Sequence, residues 1–197
     1  MHPSGVANGP NDVRALVREL VRVGADVIKF ATTGGASSRS GHGPMDIAFG
    51  QDEVKALVAE AKAQQKYTMC HAVGGPGLRM CIEAGVNSVE HGCYIADDPD
   101  LVNIMAGNNT FLTPTFEVYE FHSTIAHPTS SHEPKVDAGP QDSMQMAIAA
   151  GVKISSGTDA GGFVHGDNAR EIELMVERVS PTCKPYRPPP DGQRNAR

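Results

Sequence analysis

The sequence predicts an α/β chain whose parallel strands are joined by helices and curl toward a (β/α) barrel. Three observations carry this. Helical and strand-like apolar patterns alternate five times behind a leading helix, the order that right-handed βαβ units produce. The first strand runs into Thr32-Thr33-Gly34-Gly35-Ala36-Ser37, which lacks the G-x-G-x-x-G turn of a dinucleotide-binding sheet. Polar residues collect where strands end, at Lys29, His71, His91 and Asp159, and in a barrel those ends converge on the face where active sites are built.

The elements follow in order. Residues 1–10 are rich in Gly and Pro and read as a disordered leader. Helical spacing of Val13, Leu16, Val17, Leu20 and Val21 predicts a first helix with Asn11 as N-cap, stopped by Gly24. A short apolar strand spans 27–32 and carries Lys29. Residues 33–50 form a long glycine-rich loop, the kind that is functional or disordered. No G-K-[ST] follows its glycines, so it is not a P-loop. A second helix covers about 52–65, with Val54, Leu57, Val58 and Ala61 on one face. Then come a strand at 67–71, a helix with Leu78, Cys81 and Ile82 closed by Gly85, a strand at 86–91, a helix near 99–106 and a strand at 110–114. Residues 116–140 are read as irregular and rich in His, Pro and Ser. A helix at 141–150, a strand at 152–156, the loop Gly157-Thr158-Asp159-Ala160-Gly161-Gly162 and a helix at 168–179 complete the domain, set at 11–179. The Pro-rich stretch 180–197 reads as a disordered tail.

Bulk properties narrow the function classes. With 197 residues the chain can build one sizeable core. Its net charge is −6 with no basic run before the last dozen residues, which argues against nucleic acid as a partner. No apolar run reaches the ~20 residues of a membrane helix. Cys70, Cys81, Cys93 and Cys183 form no C-x-x-C pair, so free thiols in a reducing, cytoplasmic setting are expected.

Taken singly, the polar residues at the strand ends have structural readings. A lysine can be an ion-pair partner, a histidine a hydrogen-bonded core residue, an aspartate a helix N-cap. Together they form a coherent chemistry. His and Asp ligate Zn²⁺-type ions, and a lysine amine that adds CO₂ becomes an anion whose two oxygens can bridge two metals. Such a centre polarises a carbonyl and acidifies water, and an aspartate beside it can accept the proton and pass it to a leaving amine.

The segments Ile28-Lys29-Phe30-Ala31-Thr32-Thr33-Gly34-Gly35, Cys70-His71-Ala72-Val73-Gly74, Val89-Glu90-His91-Gly92 and Gly157-Thr158-Asp159-Ala160-Gly161 resemble the metal-dependent amidohydrolase superfamily, in its imidazolonepropionase-like branch with Xaa-Pro and Xaa-Arg dipeptidases and ochratoxin-hydrolysing relatives. The resemblance covers about residues 11–179. It implies a partial (β/α)8 TIM barrel, strands four to eight with their helices. It implies a divalent metal, one or two ions with Zn as default, and a carboxylated Lys29 between them. By the same resemblance His71 and His91 ligate one metal, Asp159 ligates the other and acts as general base, and Tyr119, His122 and His165 border the substrate. Arg39 and His42 are weaker candidates. The implied activity is hydrolysis of an amide bond in a small molecule such as a dipeptide, an N-acyl amino acid or a cyclic amide.

The family's first metal-binding motif, His-x-His on the first barrel strand, does not occur here. That motivates a second expectation, a truncated non-catalytic fragment of such an enzyme. A third is a phosphate-binding barrel half or interaction module. An open set of five strands has two exposed edges, which invite pairing, so a homo-oligomer is a further expectation.

Overall fold

The computed structural model describes residues 5–35, 41–124, 139–161 and 165–179. Its centre is one sheet of five parallel strands in sequence order: β1 (Val27–Ala31), β2 (Tyr67–Ala72), β3 (Ser88–His91), β4 (Phe111–Thr113) and β5 (Lys153–Ile154). Helices precede or join them: α1 (Pro10–Arg22), α2 (Gln51–Ala63), α3 (Gly75–Glu83), α4 (Asp100–Asn108), α5 (Phe116–Thr124), α6 (Gly139–Ala149) and α7 (Arg170–Val179). A parallel sheet in strict sequence order is the arrangement of a (β/α) barrel wall, and the predicted α/β class holds.

Side chains alternate across the strands with period two. One set, Ile28, Phe30, Cys70, Ala72, Val89 and Leu112, is buried in a single core with Val13, Val17, Val54, Leu57, Leu78, Ile82, Leu101 and Met105 from the helices. The other set faces away from that core. There Lys29 is exposed, and Val27, Tyr67 and Phe111 are exposed over an open cavity of about 650 Å³.

Several boundaries moved for identifiable reasons. α1 starts at Pro10 with Gly9 as N-cap, two residues before the predicted Asn11 cap, because Pro suits the first helical turn. Glu53 then ties two helix starts together, accepting the N–H of Gly9 and of Gly50 at 2.7 Å each. β5 has two residues instead of five, paired only to the short β4. Residues 116–124, read as irregular, form α5. Its apolar residues are spread around the helix, so no single-face period marks it, and its start is held from afar by Glu171.

The long loop after β1 is strapped to the sheet over its described part. Thr33 pairs with Ile47, and Thr32 O accepts Ala48 N–H at 2.9 Å. Gly34 must be glycine, because a Cβ there would lie 1.4 Å from the His42 carbonyl oxygen. Arg39, residues 1–4 of the leader expected over 1–10, and the tail expected over 180–197 lie outside the described residues. No helix among the described residues is long and apolar enough to cross a membrane.

Candidate functional site at the strand ends

Because the strands are parallel, their C-terminal ends share one edge of the sheet. Register then decides which residues meet. Ala31 pairs with His71 and His71 with Glu90, so β1, β2 and β3 present their ends at one level. Ala72 pairs with His91, one step further along.

The structure brings His71 and His91 together, with ring centroids 4.4 Å apart and planes at 70°. Each ring has a second partner that decides its tautomer. His71 Nε2 lies 3.2 Å from the Gly34 carbonyl oxygen. A carbonyl only accepts, so Nε2 carries the proton and Nδ1 keeps its lone pair. His91 Nδ1 lies 2.8 Å from Thr115 Oγ1, and that hydroxyl donates its only proton to Pro114 O at 2.8 Å. The hydroxyl must therefore accept from His91, which leaves Nε2 of His91 with the lone pair. Burial, then the neighbouring His71, then Lys29 push the His91 pKa down to about 3. His71 is also lowered, chiefly by burial and also by Lys29, with the Gly34 bond, Asp159 and Glu90 opposing. Both rings are thus held neutral at neutral pH, the form that ligates a metal.

Lys29 stands on the open side of β1, near enough to act on both rings. Asp159 is exposed in the loop after β5, with φ of 55°, and its charge reaches His71. Tyr119, on α5, is buried with its ring edge-on to His91 at 6.0 Å, and it shares a hydrogen bond with the Cys93 thiol. Burial raises the Tyr119 pKa and drives that of Cys93 up to about 12. Cys70, Cys81 and Cys93 are free and buried. His165 is exposed in a turn ahead of α7, with no hydrogen bond or ring contact to the histidine pair among the described residues. His42 is exposed in the loop after β1, and the side chain of His122 lies outside the described residues.

Four contributors escape a reading of the sequence. The Gly34 carbonyl and Thr115 become histidine partners only when β1 lies beside β2 and β3 beside β4. Glu90 is buried on the interior face beside His71 and accepts the Ser88 hydroxyl. Glu171 is fully buried and accepts the N–H groups of Phe116 and Glu117 at 2.9 and 2.8 Å, which anchors α5 behind Thr115. An acidic residue directly before the strand-end His91 is the only sequence signal among these.

Among the described residues, no three His, Cys, Asp or Glu side chains come close enough together to hold a metal. The two histidines alone each keep one ring nitrogen free of protein hydrogen bonds.

Comparison with known proteins identifies the family. The profile of the amidohydrolase family matches residues 1–187. Ochratoxinase of Aspergillus niger is 31% identical over 182 residues, covering 89% of this chain and 37% of that protein. The crystal structure of a Xaa-Pro dipeptidase with bound methionine in the active site superposes with a TM-score of 0.77 at 36% identity, over 90% of this chain and 45% of that one. The crystal structure of the A. niger ochratoxinase gives 0.76 at 32% identity, over 88% and 39%. The chain thus spans less than half the length of these relatives. With the family profile matching residues 1–187 of its 197, the chain belongs to the amidohydrolase family.

Proposed function

We propose that these strand ends hold a divalent metal and serve the hydrolysis of an amide bond in a small molecule, a dipeptide or an N-acyl amino acid. The observation that carries this reading is the histidine pair, neutral, 4.4 Å apart and each with one nitrogen left free by its hydrogen bond. Relatives named for hydrolysing a dipeptide and ochratoxin support the substrate class.

In this reading His71 Nδ1, His91 Nε2 and Lys29 hold the ion, Zn²⁺ by default. Lys29 would do so once its ammonium gives up one proton and the resulting amine adds CO₂ and gives up a second, which turns a repelling cation into an anionic oxygen donor. A divalent ion supplies the charge that polarises the amide carbonyl and acidifies a water. Asp159 contributes to holding a second ion, accepts the water's proton and returns it to the departing amine, so the nitrogen leaves neutral. The ring of Tyr119 backs His91, and with His122 and His165 it borders the substrate.

Release of free amino acid from a panel of dipeptides and N-acyl amino acids tests this. The full chain loaded with Zn²⁺ is expected to hydrolyse at least one class, and Asp159→Asn to lose at least ~100-fold. Turnover undiminished in Asp159→Asn overturns the general-base role. A chain that binds no metal and hydrolyses nothing supports the non-catalytic reading.

A further inference from the structure

Thr115 combines three features that a simple connector does not need. It is buried. It follows Pro114 at the end of β4. Its φ is 54°, a left-handed conformation that β-branched residues rarely adopt. Strain of this kind persists only where the surroundings over-determine it. Here they do, because Glu171 clamps the next two backbone N–H groups, those of Phe116 and Glu117, from the far helix α7. The result is that the Thr115 hydroxyl lies 2.8 Å from His91 Nδ1 while its proton is committed to the Pro114 carbonyl.

We infer that Thr115 is the positioning residue of His91: its strained backbone presents a hydroxyl that can only accept, which locks the imidazole as the Nδ1–H tautomer with Nε2 turned free toward the site. The lock exists in the metal-free protein. Its use as a ligand-orienting device rests on the metal reading proposed above. Partners of this type fix ring orientation, and their loss typically weakens metal binding about 10–100-fold.

The test uses the full chain with ¹⁵N-labelled histidine. In the metal-free state, ring nitrogen shifts of His91 are expected to report the Nδ1–H tautomer in the wild type and in Thr115→Ser, which keeps the hydroxyl. Thr115→Val keeps the shape but not the acceptor, and is expected to show a mixed or reversed tautomer. Thr115→Gly provides a second variant that suits the positive φ and so removes the hydroxyl without backbone strain; it is expected to behave like Thr115→Val. Zinc affinity by chelator competition is expected to fall about 10–100-fold in both hydroxyl-free variants and to return in Thr115→Ser. A wild-type tautomer in Thr115→Gly or Thr115→Val overturns the inference, as does weakened zinc binding in Thr115→Ser equal to that in Thr115→Val. If the wild type binds no zinc, the metal reading fails by itself, and the tautomer measurement still decides the role of Thr115.

Discussion

Phe30 and Lys29 are neighbours in β1 and live in different environments. Phe30 points into the helix-covered core, edge-on to Phe49 at 6.3 Å between ring centroids, while Lys29 points over the open side of the sheet. The same division runs along the other strands. Cys70, Ala72, Val89 and Leu112 pack against helices, while Tyr67, His71, Glu90 and Thr113 face the interior. One set of positions makes the fold, and the alternate set is left free for chemistry. A polar or charged residue costs little on the second face, which is why a lysine can sit in an apolar strand.

Breaking each face should separate stability from function. Phe30→Ala is expected to cost about 3–5 kcal/mol, from lost burial and the cavity it leaves, read as a shifted urea midpoint. Lys29→Ala, one residue away, is expected to stay within about 0.5 kcal/mol of wild type. Equal losses in the two would dissolve the distinction between the faces.

A second, smaller effect lies where the two faces meet, at His91. Its folded pKa lies below its unfolded value, so the unfolded chain takes up a proton first. Between about pH 6.5 and pH 3 the metal-free fold should therefore lose up to ~1.4 kcal/mol per pH unit through this ring, whereas above pH 6.5 both states are neutral and nothing is lost. His91→Gln should flatten that part of the stability profile, seen by denaturation at a series of pH values. An unchanged slope would mean the ring is not held neutral.

The smallest effect is expected at the rim. Arg79 bridges Asp98 and Glu83 on the surface, and Arg79→Ala should lower stability by about 1 kcal/mol or less. A loss as large as that of Phe30→Ala would show that the helices depend on more than the core.

Much of this was legible in sequence for a physical reason. Helices and strands that pack on one side repeat their apolar residues with the period of the element, so α1, α2, β1 and β2 could be read within a residue or two. Lys29, His71 and His91 stood out because they interrupt or end such patterns. α5 was missed because its apolar residues pack in two separate clusters, Phe116 in one and Val118 with Tyr119 in the other, and leave no single stripe. Thr115 and the Gly34 carbonyl were missed because their role is created by pairing between strands far apart in sequence. A threonine after a proline announces nothing until the hydroxyl is found 2.8 Å from His91.

In the function proposed above, the strand ends hold a metal through His71, His91 and a carboxylated Lys29. The most direct measurement is the metal content of the purified full chain after equilibration with Zn²⁺ and bicarbonate, together with its mass under non-denaturing conditions. At least one tightly bound ion per chain is expected, with the added mass of one CO₂, and both are expected to be lost in Lys29→Ala. A wild-type chain free of metal and of CO₂, or one whose metal content survives both His71→Asn and His91→Asn, would contradict the account.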